Sequence, residues 1–182
     1  PHDPKIESFV SVVREKTLSA GNNKCLVFST FRHTLAYISS HLEKQGIRFG
    51  VVHGGISEDE RRVLRSRFKF PKESPDALDI LISSEVGCEG LDFQFCDMLI
   101  NYDLPWNPMR IEQRIGRIDR HGQESEAVAI VNMITEETID ADIYDRCLWR
   151  IGVFQQALGG SEEILGQISK ELHELSESFE LS

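Results

Sequence analysis

The sequence lacks long apolar runs and the residue spacing of a metal or redox site. No stretch of about 18 apolar residues occurs, and no charged-then-apolar leader opens the chain, so we expect neither a membrane span nor a secretory signal. The four cysteines form no C-x-x-C pair, and the six histidines form no pair with cysteine or acid at ligand spacing. These absences predict a soluble intracellular protein with reduced thiols and no metal site.

An excess of basic residues is also lacking, since the formal net charge is −10. The segment 161–182 contains six acids and one lysine, so it contributes −5 and leaves −5 for the rest of the chain. Neither part offers a general polyanion-binding surface. Any contact with nucleic acid must therefore be local, made by loops and helix N-termini.

Short runs of β-forming apolar residues alternate with segments of helical periodicity. The runs predict strands at 24–30, 48–52, 78–83, 98–102 and 127–132. Helices are predicted at 6–18 and 32–45, then from a Ser-x-x-Glu capping box at Ser57, and again from Asn107. This alternation predicts an α/β fold, a parallel sheet with helices on both faces, whose ligands lie at the carboxyl ends of the strands.

The chain divides by pattern into three parts. A leading helix is predicted within 1–20, the sheet-containing domain within 21–135, and a helical extension with an acidic tail within 136–182. The extension carries two apolar stripes at spacings of three and four residues, from Ile139 to Phe154 and from Leu165 to Phe179, which favour packing against this domain.

An arginine-dense segment at 107–123 reads NPMRIEQRIGRIDRHGQ. Asn107 is a good N-cap and Pro108 suits the first helical position. We expect the helix to continue through Gly116, although glycine costs roughly 1 kcal/mol there relative to alanine. One face of this helix would then hold Arg110, Gln113, Arg114 and Arg117, with Arg120 one turn further on. A solvated basic face is the alternative interpretation.

The third predicted strand leads into the sequence SSEVGCEGLD at 83–92. Its two glycines and the acid that follows them, Asp92, suit a tight loop at a strand end, where the backbone can approach a ligand closely. Taken alone, the segment is also compatible with an ordinary strand-to-helix turn in which Asp92 is a cap.

The pattern Q-R-x-G-R-x-x-R at 113–120, preceded by W-N-P and followed by H-G-Q, resembles the last conserved motif of Swi/Snf-type superfamily-two helicases. LVFSTF at 26–31, VVHGG at 51–55 and G-x-E-G-L-D at 87–92 resemble earlier motifs of these motors, in the same order. The resemblance implies a RecA-like C-terminal helicase lobe. The Gly-Arg form of the last motif is similar to the bacterial branch typified by the RNA-polymerase-recycling ATPase.

The resemblance also implies roles for individual residues. Arg117 and Arg120 match the arginine fingers that reach the phosphates of ATP, where a planar, permanently charged guanidinium is the best side chain to meet developing negative charge. The implied nucleotide-site residues are Gly87, Glu89, Gly90, Asp92, Gln113 and Arg114. The implied nucleic-acid contacts are Ser29, Thr30, His53, Gly54 and Ser84.

The sequence contains neither a G-x-x-x-x-G-K-[ST] loop nor an Asp-Glu-x-His acid pair, the elements that grip the β- and γ-phosphates and the metal. We therefore expect an inactive isolated chain, a partner N-terminal RecA-like lobe in the same protein, and ATP with Mg²⁺ held mainly by that lobe. The resemblance further implies double-stranded DNA as substrate, RNA polymerase or another nucleoprotein complex as partner, no membrane, and a nucleoid-associated location in the bacterial cytoplasm.

Two other functions fit the same residues. The lobe could belong to a strand-separating DNA or RNA helicase. It could also be a non-catalytic interaction domain whose arginines bind an acidic partner.

Overall fold

The computed structural model describes residues 2–105 and 107–135, so Trp106 and the predicted extension at 136–182 lie outside the described residues. The helices are α1 (Pro4–Leu18), α2 (Arg32–Lys44), α3 (Glu58–Lys69) and α4 (Pro108–Ile115). The strands are β1 (Cys25–Phe28), β2 (Phe49–Val52), β3 (Ile80–Ser83), β4 (Met98–Asn101) and β5 (Ala129–Asn132). Within these ranges, no helix is both long enough and apolar enough to cross a membrane.

The strands form one parallel sheet in the order β2-β3-β1-β4-β5. β1 and β3 are buried along their whole length, as expected for central strands covered on both faces. β1 lies between β3 and β4, and Leu26 is in register with both Leu81 and Leu99. The predicted α/β fold with a parallel sheet is confirmed, and the loops after the strands meet at its carboxyl edge.

A separate apolar layer covers each face of the sheet. Successive residues of β1 alternate between the layers, with Val27 in one and Leu26 in the other. The first layer receives α1 and α2, including the fully buried Phe9, and the second receives α3 and the segment before β4, including Phe68. Burying each such side chain contributes about 1.5–3 kcal/mol. The leading helix thus shares the core of the sheet domain.

Local signals set most helix ends. Ser57 and Glu60 form the predicted capping box of α3, and Gly46 ends the α2 region with φ +65°. α1 starts two residues earlier than predicted because the Asp3 carboxylate accepts hydrogen bonds from the amides of Lys5 and Ile6. Such a cap satisfies donors that the first helical turn leaves open.

The arginine-dense helix is shorter than predicted. α4 ends at Ile115, and Gly116 is its C-cap, which fits the low helix propensity of glycine. Arg117 and Arg120 therefore lie in turns after the helix rather than along its face. The turn is held in place because the amide of Phe93 donates to the carbonyl of Arg117 at 2.8 Å.

A polar cluster joins the starts of the strands at the opposite, amino edge of the sheet. We call Asn23, Lys24, Arg48 and Asp79 the amino-edge cluster. The Arg48 guanidinium donates to both carboxylate oxygens of Asp79, at 2.9 and 2.7 Å, and Asn23 donates to Asp79 at 2.7 Å. Lys24 Nζ donates to the carbonyl of Leu78 at 2.7 Å, and burial lowers the pKa of this lysine. Every charge in the cluster has a partner.

Candidate functional site

The loops that follow β1, β2, β3 and β4 start at the carboxyl edge of the sheet, and the turn after α4 is hydrogen-bonded to the segment that leads from β3 to β4. Ligands of open parallel sheets bind outside this edge. All the site residues predicted from the sequence lie in these segments or in α4, although they differ in whether a ligand can reach them.

Arg117 and Arg120 meet around one carboxylate. Arg120 Nη1 donates a hydrogen bond to Asp92 Oδ1, and Arg117 Nη1 lies 3.9 Å from the same oxygen. Arg117 also donates to the carbonyl of Leu91 at 3.3 Å. The arginine side chains remain 26% and 41% exposed. Two guanidiniums share one carboxylate, which leaves a net positive charge at the surface, and guanidinium donors match the geometry of phosphate oxygens.

Hydrogen bonds from two nearby side chains to backbone carbonyls hold this arginine pair in position. Arg65 Nε of α3 donates to the carbonyl of Asp92 at 2.8 Å. Gln123 Nε2 donates to the carbonyls of Ile118 and Cys96, at 2.6 and 3.0 Å. The turn that carries the pair is therefore tied both to α3 and to the segment before β4.

The two glycines of the loop at 84–92 differ in role. A Cβ at Gly87 would lie 2.4 Å from the carbonyl oxygen of Val52, so a glycine is required for the loop to pack against the end of β2. Gly90 has φ +76°, which favours glycine, and is exposed like its neighbour Glu89. Ser84 Oγ accepts from the amide of Gly87 at 3.1 Å, which braces the loop. Glu89 and Gly90 are therefore open to a ligand, whereas Gly87 is buried.

The predicted nucleotide contact at Arg114 is not accessible in the structure. This side chain is 1% exposed, and its guanidinium donates to Glu85, Asn101, Thr30 and the carbonyl of Asp103 at distances of 2.6–3.3 Å. Its neighbour Gln113 is exposed, because adjacent helical residues point about 100° apart. Arg114 is thus an internal cation, and Gln113 is the residue of the two that faces solvent.

Ser29 is likewise not presented to a ligand. It is fully buried, and its hydroxyl donates to Asp103 Oδ2. The next residue, Thr30, is exposed, and its amide donates to Asp103 Oδ1 at 2.8 Å. The Asp103 carboxylate therefore caps the end of β1, and Thr30 is the exposed one of the two predicted contacts.

The loop after β2 holds a half-buried histidine beside exposed glycines. His53 Nδ1 accepts from the amide of Gly55 at 3.0 Å, which in the neutral ring places the proton on Nε2. Gly54 is exposed, and a Cβ there would lie 2.9 Å from Val86 Cγ1. Elsewhere within residues 2–105 and 107–135, no group of three or more His, Cys, Asp or Glu side chains is placed to hold a metal ion.

Sequence reasoning missed the acidic partners of Arg114. Glu85 accepts from Arg114 Nη2 at 2.6 Å, and Asp103 lies 3.9 Å from the same nitrogen. Each acid follows the end of a strand after one intervening residue, and that position was the available signal. Nothing in the sequence paired them with an arginine in α4, because the pairing depends on the order of the strands.

The sheet, its carboxyl-edge loops and the exposed arginine pair define a RecA-like α/β lobe of the helicase type. The chain belongs to the family described as the helicase conserved C-terminal domain, which matches residues 5–122. It is 37% identical over 147 residues to the uncharacterized ATP-dependent helicase YqhH of Bacillus subtilis, covering 81% of this chain and 25% of that protein. It is 38% identical over 133 residues to the RNA polymerase-associated protein RapA of Vibrio cholerae, covering 72% of this chain and 13% of that protein.

Solved structures give the same fold. The C-terminal part of the Fun30 ATPase domain matches with a TM-score of 0.70 at 24% identity, over 79% of this chain and 45% of that one. The Hef helicase domain of Pyrococcus furiosus matches with a TM-score of 0.60 at 28% identity, over 78% of this chain and 28% of that one. The chain thus spans a quarter or less of the length of the curated relatives YqhH and RapA.

Proposed function

We propose that this chain is the second lobe of an ATP-dependent translocase of double-stranded DNA. It supplies Arg117 and Arg120 to ATP bound against a first lobe of the same protein. The observation that carries the proposal is the partly exposed pair of arginines that share the Asp92 carboxylate after α4. The net positive charge of the pair fits the phosphate groups of ATP.

Asp92 has two tasks in this proposal. In the structure its carboxylate holds both guanidiniums close together, and pre-oriented donors need little reorganisation when charge develops on a phosphoryl group. Its remaining oxygen can orient the ribose. Gln113, Glu89 and Gly90 are exposed at the same edge and complete the nucleotide-facing surface, whereas the first lobe grips the β- and γ-phosphates and Mg²⁺.

The proposed nucleic-acid contacts are Thr30, His53, Gly54 and Ser84. Thr30 and Gly54 are exposed, and His53 is half-buried with its Nδ1 occupied by the amide of Gly55, which leaves Nε2 as the donor for a phosphate. These are neutral donors and open backbone rather than a basic patch, in keeping with the net charge of −10. They suit backbone phosphates, which position a protein on nucleic acid without reading its sequence.

The relatives extend the proposal to a partner and a location. RapA is an RNA polymerase-associated protein, and both named relatives are bacterial. We accordingly propose RNA polymerase or another nucleoprotein complex as the partner and a nucleoid-associated location in a bacterial cell.

The test is DNA-stimulated ATP hydrolysis by the intact protein that carries this lobe. We expect Arg117→Ala and Arg120→Ala each to lower turnover on the order of 10³- to 10⁵-fold. Arg62→Ala is the matched control, because Arg62 is 70% exposed and contacts only Glu58 of its own helix among the ion pairs of the described residues. Normal hydrolysis by both arginine variants would instead support an interaction domain that binds an acidic partner.

A strand-displacement assay separates the translocase from a strand-separating helicase. A duplex translocase moves along DNA and releases little single strand. Efficient release of single-stranded DNA or RNA by the intact protein would replace the translocase proposal with the helicase alternative.

A further inference from the structure

We propose that Arg114 is a positioning residue that couples the nucleic-acid-facing loops to the arginine pair. The inference rests on the proposed function and deepens it, because it names an internal device by which DNA binding would stimulate hydrolysis. Arg114 itself touches neither ligand, since its side chain is only 1% exposed.

Arg114 bonds to the segments after three adjacent strands. It donates to Thr30 Oγ1 after β1 at 3.3 Å and to Glu85 Oε1 after β3 at 2.6 and 3.1 Å. After β4 it donates to the carbonyl of Asp103 at 2.9 Å, and to Asn101 Oδ1 at the end of that strand, also at 2.9 Å. A single buried cation therefore bonds to all three segments, and it is the group that ties Glu85 after β3 to the segments after β1 and β4.

The arginine pair lies at the far end of two segments that both start at this cation. One segment runs from Glu85 to Asp92, and the other runs from Arg114 to Arg120. They are joined at one end by the Arg114–Glu85 ion pair and at the other by the contact of Arg120 with Asp92. A change in the spacing at Arg114 must therefore reach the guanidiniums that face the nucleotide.

Thr30 is where the nucleic acid would act on this device. It is exposed, and its hydroxyl oxygen accepts from Arg114 Nη2. The amide of Thr30 is held by Asp103, whose carboxylate also lies 3.9 Å from Arg114 Nη2. A phosphate bound at Thr30 would contact a residue that is hydrogen-bonded to Arg114. Arg114 is in turn connected to Arg117 and Arg120 through the two segments described above.

A lysine cannot reproduce this arrangement. The guanidinium uses Nε, Nη1 and Nη2 toward different partners, and it also lies 5.2 Å from the centroid of the Phe28 ring. Lysine keeps the charge but presents a single nitrogen on a flexible stem. Arg114→Lys thus retains a cation near Glu85 but removes bonds that tie the segment after β3 to the segments after β1 and β4, which stay joined to each other through Asp103.

The experiment measures ATP hydrolysis by the intact protein as a function of linear mixed-sequence duplex DNA. For Arg114→Lys we expect the stimulation by DNA to fall at least about fivefold, the lower end of usual coupling strengths. The DNA concentration for half-maximal stimulation should rise, while KM for ATP stays within about twofold because no ATP contact is removed.

Two further variants separate coupling from stability. Arg48→Lys breaks a comparable arginine–carboxylate pair at the amino edge and should leave the stimulation unchanged. Glu85→Gln removes the charge of the partner of Arg114 and should lower the stimulation in the same direction. The double variant Arg114→Lys/Glu85→Gln should lose little more than Arg114→Lys alone, because residues of one pair are not additive.

The inference is overturned if Arg114→Lys keeps wild-type stimulation, if Arg48→Lys loses as much, or if the effects of Arg114→Lys and Glu85→Gln simply add. Those results leave the proposed function standing as long as wild-type hydrolysis depends on DNA and on Arg117. Absence of any DNA stimulation in the wild type would instead overturn the proposed function, and this inference with it.

Discussion

Each edge of the sheet contains an arginine that is paired with a carboxylate, but the two pairs differ in role. At the amino edge, Arg48 binds Asp79 and also donates hydrogen bonds to the carbonyls of Ser74 and Lys72. At the carboxyl edge, Arg114 is more deeply buried, yet the segments it joins carry Arg117 and Arg120 out to the surface.

This difference separates a structural tie from a candidate site. The hydrogen bonds that Arg48 donates to Asp79 raise the pKa of Arg48, and burial lowers the pKa of Lys24. Arg48 also donates to two backbone carbonyls, and Lys24 donates to the carbonyl of Leu78. The segments that start at the carboxyl edge instead hold Arg117 and Arg120, two partly exposed cations that share a single acid. Changes at the amino edge should therefore affect folding, and changes at the carboxyl edge should affect turnover.

The largest expected effect on stability is at the amino edge. Asp79→Ala leaves Arg48 and Asn23 without their shared carboxylate, and removing one partner of a buried pair costs about 3 kcal/mol. We expect a lower free energy of unfolding in urea, with unchanged kcat/KM for ATP at temperatures where the protein is folded. A selective loss of turnover would erase the distinction between the edges.

A glycine substitution tests the packing of the carboxyl-edge loop. Gly87→Ala would place a Cβ against the carbonyl oxygen of Val52 and should cost about 2 kcal/mol through backbone displacement, with a loss of DNA-stimulated turnover as well. Gly46→Ala is the matched control, because no atom lies within 4 Å of its Cβ and only its φ of +65° is unfavourable. It should cost about 1 kcal/mol with normal turnover, as measured by thermal unfolding and ATP hydrolysis.

A milder change at the carboxyl edge should affect turnover alone. Asp92→Asn keeps an oxygen acceptor for Arg120 but removes the charge that holds both arginines. We expect kcat to fall about tenfold, which corresponds to about 1.4 kcal/mol of transition-state stabilisation. Because Asp92 is 34% exposed, the free energy of unfolding should change little. A stability loss larger than the loss in turnover would contradict this assignment.

The smallest effect concerns two matched thiols. Burial raises the pKa of Cys88, beneath the carboxyl-edge loop, and of Cys96, before β4, to about 12 in both cases. Neither should react appreciably with a maleimide at pH 8, since the thiolate is the reactive form. Peptide mapping by mass spectrometry would measure each site. Faster labelling of Cys88 than of Cys96 would show that the loop at 84–92 opens more readily than the amino edge.

The sheet was predictable because buried strands and capping signals are local. The strand β1 and the capping box at Ser57 are each determined by a few residues that are adjacent in sequence. The end of α4 was predicted wrongly, because Gly116 was expected to continue the helix and instead caps it.

The candidate site was predictable only in part. The residues of the edge follow from motifs, whereas the inward direction of Arg114 and Ser29 depends on partners contributed by other strands. Glu85 and Arg114 are 29 residues apart in sequence. Only the strand order β3-β1-β4 brings them together, and no local pattern encodes that order.

Both ends of the leading helix are fastened to the sheet domain. Near its start, the Asp3 carboxylate accepts from the Tyr37 hydroxyl at 2.8 Å, and near its end Lys16 pairs with Asp97 at 2.6 Å. Between them, Phe9 packs edge-on against Tyr102 at 5.3 Å. α1 is consequently fixed to the sheet domain and does not act as a hinge. A force or torque applied at residue 2 would therefore rotate the sheet together with the helix. Mechanical work entering the lobe along this helix would reach the arginine pair without being absorbed by a flexible joint.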